Sequence, residues 1–251
     1  MDYNRGMNRL VLLAIVLMLQ AANAQTAPVS VPFVGCISDG QQGPTPAPKG
    51  NSKLVNIPSN IAKRLAYYQA EMGPGVLAPR GWTCFGTVGS NGGSIFVSPQ
   101  QLTSAMFFSD HKNWKGFTGP AIQLSDMVGD TSGRFSVAQT IARVFPAHRR
   151  FVRKVIKEDY QPAKNFPFGP YPRDKLTYRS KEIVEYETPP ETRGLGTDSW
   201  LLKNASPIRG VAVLSGADPD CLHLSTRLPP DQNDLISAIV QQVEFDATHD
   251  N

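Results

Sequence analysis

The stretch Leu77 to Pro99, LAPRGWTCFGTVGSNGGSIFVSP, constrains the fold of this chain more than any other. Two short apolar runs flank the sequence Ser90-Asn91-Gly92-Gly93. Consecutive positive-φ positions in a tight turn favour Asn and Gly, so the pattern predicts a β-hairpin over about 80–98. Its first arm sets Trp82 and Cys84 on one face and Thr83, Phe85 and Thr87 on the other. The second arm alternates Ile95 and Val97 against Phe96. Apolar weight on both faces predicts a central hairpin of a covered sheet rather than an edge ribbon. The functional alternative is a loop-tip site made from Ser90, Asn91 and glycine backbone, with Arg80 and Trp82 beside it.

The N-terminus reads as an export signal. Arg5 and Arg9 precede the apolar run Leu10 to Leu19, and Ala22-Asn23-Ala24 supplies a small-x-small cleavage pattern. Residues 1–24 are therefore expected to be a signal peptide, cut before Gln25, with the mature chain exported to the periplasm or medium. The apolar run falls well short of the roughly 20 residues that span a bilayer, and no later stretch is expected to cross one. Roughly 230 residues remain, ample for a single large domain. A formal charge of +4 is too mild to imply a nucleic-acid partner.

Export permits disulfides. Cys36, Cys84 and Cys221 allow one internal bridge and three pairings. Cys36–Cys84 is favoured, because it would staple a loop-rich N-terminal segment, and Cys221 is then the odd thiol.

Residues 25–57 read as an extended arm, since Gly40, Gly43, Pro44, Pro46, Pro48 and Gly50 exclude helix. Ser59 or Asn60 is expected to cap a helix with Ile61, Leu65 and Tyr68 on one face, ended by Gly73-Pro74-Gly75. Beyond the hairpin, Val137, Ile141 and Val144 predict a helix from about Phe135 to Phe145. Pro146 breaks it and opens another over Ala147 to Glu158. On that helix Arg149, Arg150, Arg153, Lys154 and Lys157 fall in one sector, opposite Phe151, Val152, Val155 and Ile156. Tyr160 to Asp174 interleaves aromatics with prolines and predicts a long extended loop. Strands are expected around Leu176 to Tyr186, Ile208 to Leu214 and Cys221 to Leu228. A closing helix capped by Asp231, with Leu235, Ile236, Ile239 and Val243 inward, should fray from about Phe245. Elements in blocks predict α+β, a mainly antiparallel sheet covered by three to four helices, as one domain over 58–245 with a frayed tail at 246–251.

Catalytic signatures are sparse. Cys–His catalysis needs a thiolate beside an imidazole, which nominates Cys84 or Cys221 with His111 or His223. Ser109-Asp110-His111-Lys112 fits S-x-x-K without its companion motifs, and no G-x-S-x-G is present. The four His and three Cys form no metal-ligand spacing, and no cofactor motif occurs. The expectation is an exported cell-envelope protein that binds rather than catalyses. Its Arg149–Lys157 face would meet an anionic partner, either a lipid headgroup, an acidic polymer or a protein, with the aromatic-proline loop as a second surface. The alternatives are an exported hydrolase with a Cys–His site, and an inhibitor or accessory subunit of a secreted enzyme.

Overall fold

The computed structural model describes residues 28–110 and 112–249. The expected signal peptide and His111 lie outside the described residues. Thirteen strands form three sheets among them. We number the strands in chain order: β1 Val29–Val31, β2 Phe33–Cys36, β3 Ser38–Gly40, β4 Lys53–Val55, β5 Leu65–Ala70, β6 Gly75–Pro79, β7 Thr83–Gly89, β8 Gly92–Ser98, β9 Ala121–Met127, β10 Lys175–Tyr178, β11 Ile183–Thr188, β12 Ile208–Ser215 and β13 Asp220–Arg227. The α-helices are α1 Ser59–Ala62, α2 Ser104–Phe108, α3 Arg134–Val144, α4 Arg149–Glu158 and α5 Ile236–His249.

The largest sheet has eight strands in the order β10-β11-β12-β13-β9-β8-β7-β3. Every pairing is antiparallel except β3 with β7. A second sheet, β2-β5-β6, and the β1-β4 pair complete the strand structure. The architecture is α+β with a mostly antiparallel sheet.

The hairpin of β7 and β8 turns through Ser90 and Asn91, with Gly89 opposite Gly92. Gly92 has φ +121°, and a Cβ there would meet the Asp126 carbonyl oxygen at 1.9 Å. Only glycine fits. The hairpin is interior, covered by β3 on one side and β9 on the other, yet it lies near one end of the sheet. The central pair is β13 and β9, because the C-terminal strands add a long antiparallel run beyond β9.

The helix expected after Ser59 is a single turn, α1, and the chain then enters strand β5, LAYYQA. Its apolar residues fit a helical stripe, but they are buried on both strand faces, where tyrosines pack well. The Tyr68 hydroxyl donates to the Pro79 carbonyl across the β5–β6 pair at 2.7 Å. Five α-helices occur among the described residues, against three to four expected; two of them are a turn or so long. Asp231 sits in a 3-10 turn, Pro230–Leu235, that leads into α5, and α5 continues to His249.

The large sheet is covered on both faces. On one, Ile95, Val97, Ile122, Leu124, Val211, Val213 and Leu224 pack with β5, β6 and α5 in one apolar cluster. On the other face the apolar residues divide into two clusters. Ala212, Leu214 and Cys221 join α3, α4 and Phe166, while Phe85 and Phe96 join Phe107, Phe117 and Leu201. A cleft opens where these two clusters part.

Candidate functional site

Alternation along the strands places Asp39, Thr87, Ser94, Ser125 and His223 on the divided face, and strand register makes them direct neighbours. Asp39 pairs with Thr87, Thr87 with Ser94, Ser94 with Ser125, and Ser125 with His223. All five line the cleft, which has a volume of about 1300 Å³. The row crosses β3, β7, β8, β9 and β13, four inter-strand steps or roughly 19 Å. An inward sheet face is ordinarily apolar, so a continuous polar row there requires its hydrogen bonds to be met.

Most are met within the floor itself. The Ser94 and Ser125 hydroxyls lie 2.8 Å apart. The Gln123 side-chain amide donates to Ser125 Oγ at 2.9 Å and accepts from the Trp200 backbone N–H at 2.8 Å. That pair of bonds fixes which end of the amide is oxygen. The Asp39 carboxylate accepts from the Ser104 hydroxyl and from the Gly40 N–H.

His223 is held from behind. The Tyr186 hydroxyl, on β11, lies 3.0 Å from His223 Nε2, 2.7 Å from Ser225 Oγ and 2.8 Å from the Leu224 carbonyl oxygen. A phenol has one proton and the carbonyl can only accept, so that proton goes to Leu224. His223 Nε2 and the Ser225 hydroxyl then donate to the phenol oxygen. Nδ1 is left as the unprotonated nitrogen. Burial pulls the His223 pKa down to about 4, so the ring is neutral at neutral pH and acts as an acceptor rather than a cation.

One wall is cationic. The guanidinium of Arg143, on α3, lies 3.9 Å from the centroid of the Tyr171 ring, and that of Arg193 lies 5.7 Å from it. The Tyr171 hydroxyl donates to the Asp198 carboxylate at 2.8 Å. Asp198 is reached by solvent and yet crowded by protein atoms, as a group inside a cleft is. Burial raises its pKa, while the Tyr171 hydrogen bond and then the two arginines oppose the rise. Burial raises Asp126 as well, helped by Asp220.

The other wall is aromatic. Trp200 stacks on Trp114 with 5.0 Å between ring centroids, and Phe107 meets both edge-on. Buried Arg227 anchors this wall from below, donating to the carbonyls of Phe117, Gly119 and Leu202. Five guanidinium donors suit such a cluster of loop carbonyls.

The residues nominated from sequence are scattered. Cys84 is bridged to Cys36 with Cα atoms 5.4 Å apart, so it has no thiol to act as a nucleophile. Cys221 is free and fully buried, and burial pushes its thiol pKa up. Of Cys84, Cys221 and His223, the described members of the nominated group, His223 alone lines the cleft. No hydrogen bond joins Ser125 to His223 among the described residues. On α4, Arg150, Arg153, Lys154 and Lys157 are exposed, whereas the Arg149 guanidinium lies 5.3 Å from the Phe168 ring centroid and is partly covered. Lys154 pairs with Asp218 at 3.1 Å. In the proline-rich loop, Phe166 and Tyr171 are buried and Phe168 is partly exposed. The Ser90–Asn91 turn lies at the rim of the same cleft.

Ser94, Gln123, Ser125, Arg143 and Arg193 escaped the sequence reading. The signal in the sequence was inward polar residues on a strand, which cannot be recognised until the covering helices are known. Among the described residues no cluster of His, Cys, Asp and Glu could hold a metal ion, and no helix is long and apolar enough to cross a membrane. Compared with known protein families, curated proteins and solved structures, the chain matches none.

Proposed function

We propose that this chain is an exported, non-catalytic binding protein that takes a polar ligand into the cleft. The observation that carries the reading is the row Asp39–Thr87–Ser94–Ser125–His223. Polar residues at inward strand positions add less to folding than apolar ones even when hydrogen-bonded, and a ligand gives them a use. The walls add charged and aromatic groups suited to orienting it. Export is supported by the basic-apolar leader and by the Cys36–Cys84 bridge.

The test is a thermal-shift screen of the mature protein against amino acids, nucleotides, dicarboxylates and oligosaccharides, with tryptophan fluorescence as a second readout because Trp200 lines the cleft. At least one class should raise the unfolding temperature, and a folded Ser125→Leu variant should lose the effect. No shift from any class would overturn the proposal.

A second reading rests on Arg150, Arg153 and Lys157, which are exposed and have no carboxylate partner among the described residues. They would present an anion-binding face to a lipid headgroup, an acidic polymer or a protein. Envelope association that survives Arg150→Glu, Arg153→Glu and Lys157→Glu together would contradict it.

A further inference from the structure

We infer that the cleft takes an acidic oligosaccharide, with a uronate carboxylate on Arg143 and Arg193, a sugar face on Trp200 and sugar hydroxyls on the row from Asp39 to Ser125. The inference rests on the binding proposal above and names the class of ligand. The size comes first. A volume of about 1300 Å³ exceeds the roughly 300–1,000 Å³ of small-molecule sites, and the row runs across five strands. The ligand is therefore extended rather than compact.

The floor selects its chemistry. Ser94 and Ser125 can each donate or accept, Asp39 and neutral His223 accept, and the Gln123 amide lies beside Ser125 on the same strand. Hydroxyl groups, which also donate and accept, match such a surface along its length. An extended peptide pairs through its backbone with a sheet edge, whereas this row lies across a sheet face. Trp200, its plane set by stacking on Trp114, presents an aromatic surface beside this floor. The C–H face of a pyranose packs on such a ring.

The cationic wall selects the acid. Arg143 and Arg193 converge on one tyrosine ring, and a guanidinium fork is suited to a carboxylate. The exposed Lys164 lies on the same wall. Asp198, hydrogen-bonded by Tyr171, interacts with both arginines and offsets part of their charge.

The experiment titrates the mature protein with tetramers of galacturonate, alginate and hyaluronate, each beside its carboxyl-reduced neutral counterpart. It is followed by tryptophan fluorescence and calorimetry. At least one acid should bind, and its reduced form should bind at least about tenfold more weakly. The difference should shrink as salt is raised, because partly exposed charges are screened. Arg143→Gln with Arg193→Gln, checked for folding by circular dichroism, should erase the difference between the acid and its reduced form. If that pair does not fold, Lys164→Gln should weaken the acid alone. Equal binding of acid and reduced forms would overturn the assignment. So would the absence of oligosaccharide binding when another polar class binds, a result that leaves the cleft proposal standing. Binding by no class of ligand would overturn both.

Discussion

The Tyr186 side chain lies across Gly210, its direct partner on the neighbouring strand, and reaches Ser225 and His223 on the strand beyond. A Cβ at Gly210 would come within 2.7 Å of the Tyr186 hydroxyl and 1.8 Å of the Leu224 carbonyl oxygen. The missing side chain is what lets a residue on β11 position a histidine on β13.

Two substitutions report on that relationship. Gly210→Ala overpacks the crossing and should cost about 1–3 kcal/mol of stability. Tyr186→Phe leaves the His223 N–H and the Ser225 hydroxyl without their acceptor and should cost about 1–2 kcal/mol. Urea unfolding of the two variants and the parent measures both. Wild-type stability in Gly210→Ala would mean that the phenol has another route to β13.

The same histidine makes stability depend on pH. Its folded pKa is about 4 against an ordinary 6.5, so between these values the unfolded chain binds the proton and the folded chain does not. Stability from this group should fall as pH drops from 6.5 to 4, by about 3 kcal/mol in all. Glu244 acts in the opposite sense. Burial, and then the neighbouring Glu185, raise it from 4.5 to about 7, so its contribution is lost as pH rises through that range. Unfolding free energies of the parent and His223→Gln across pH 4–7 should differ by the histidine slope alone. Parallel curves would show that His223 is not held neutral.

The Cys36–Cys84 bridge closes a separation of 48 residues and ties β2 to β7. Chain-entropy arguments give such a loop about 4 kcal/mol. Reduction, or Cys36→Ser with Cys84→Ser, should lower the urea midpoint accordingly. An unchanged midpoint would mean that the N-terminal strands are held by their pairing alone.

Cys221 should resist alkylation in the native protein and react fully on unfolding, because its side chain is buried against the α3–α4 cluster. Mass spectrometry after iodoacetamide treatment counts the modified thiols. Stoichiometric native labelling would reopen a thiol-based mechanism.

Legibility followed local periodicity. Helices α3 and α4 were readable because Val137, Ile141 and Val144, and then Val152 and Val155, recur at helical spacing and are buried as that spacing requires. The β7–β8 hairpin was readable from its turn residues. Strand β9, AIQLSDM, was not, although it is one of the two central strands. Its Gln123 and Ser125 look like a solvent face, and only the helices packed above it turn that face inward. Strand β5 misled in the other direction, its doubly buried apolar run imitating a helical stripe. The cleft row draws one residue from each of five strands between positions 39 and 223, so no window of the sequence shows it.

The central claim is that the polar row exists for a ligand and not for the fold. Ser94→Ala with Ser125→Ala tests it most directly, because it removes both members of a hydroxyl pair without adding bulk and leaves only the side-chain N–H of cleft-lining Gln123 short of an acceptor. Removing both partners of such a bond is close to neutral for folding. Equilibrium unfolding in urea should therefore give a double variant within about 2 kcal/mol of the parent, any loss coming from the Gln123 donor. A loss of about 3 kcal/mol or more would show that the hydroxyls hold the sheet together, and would contradict the account.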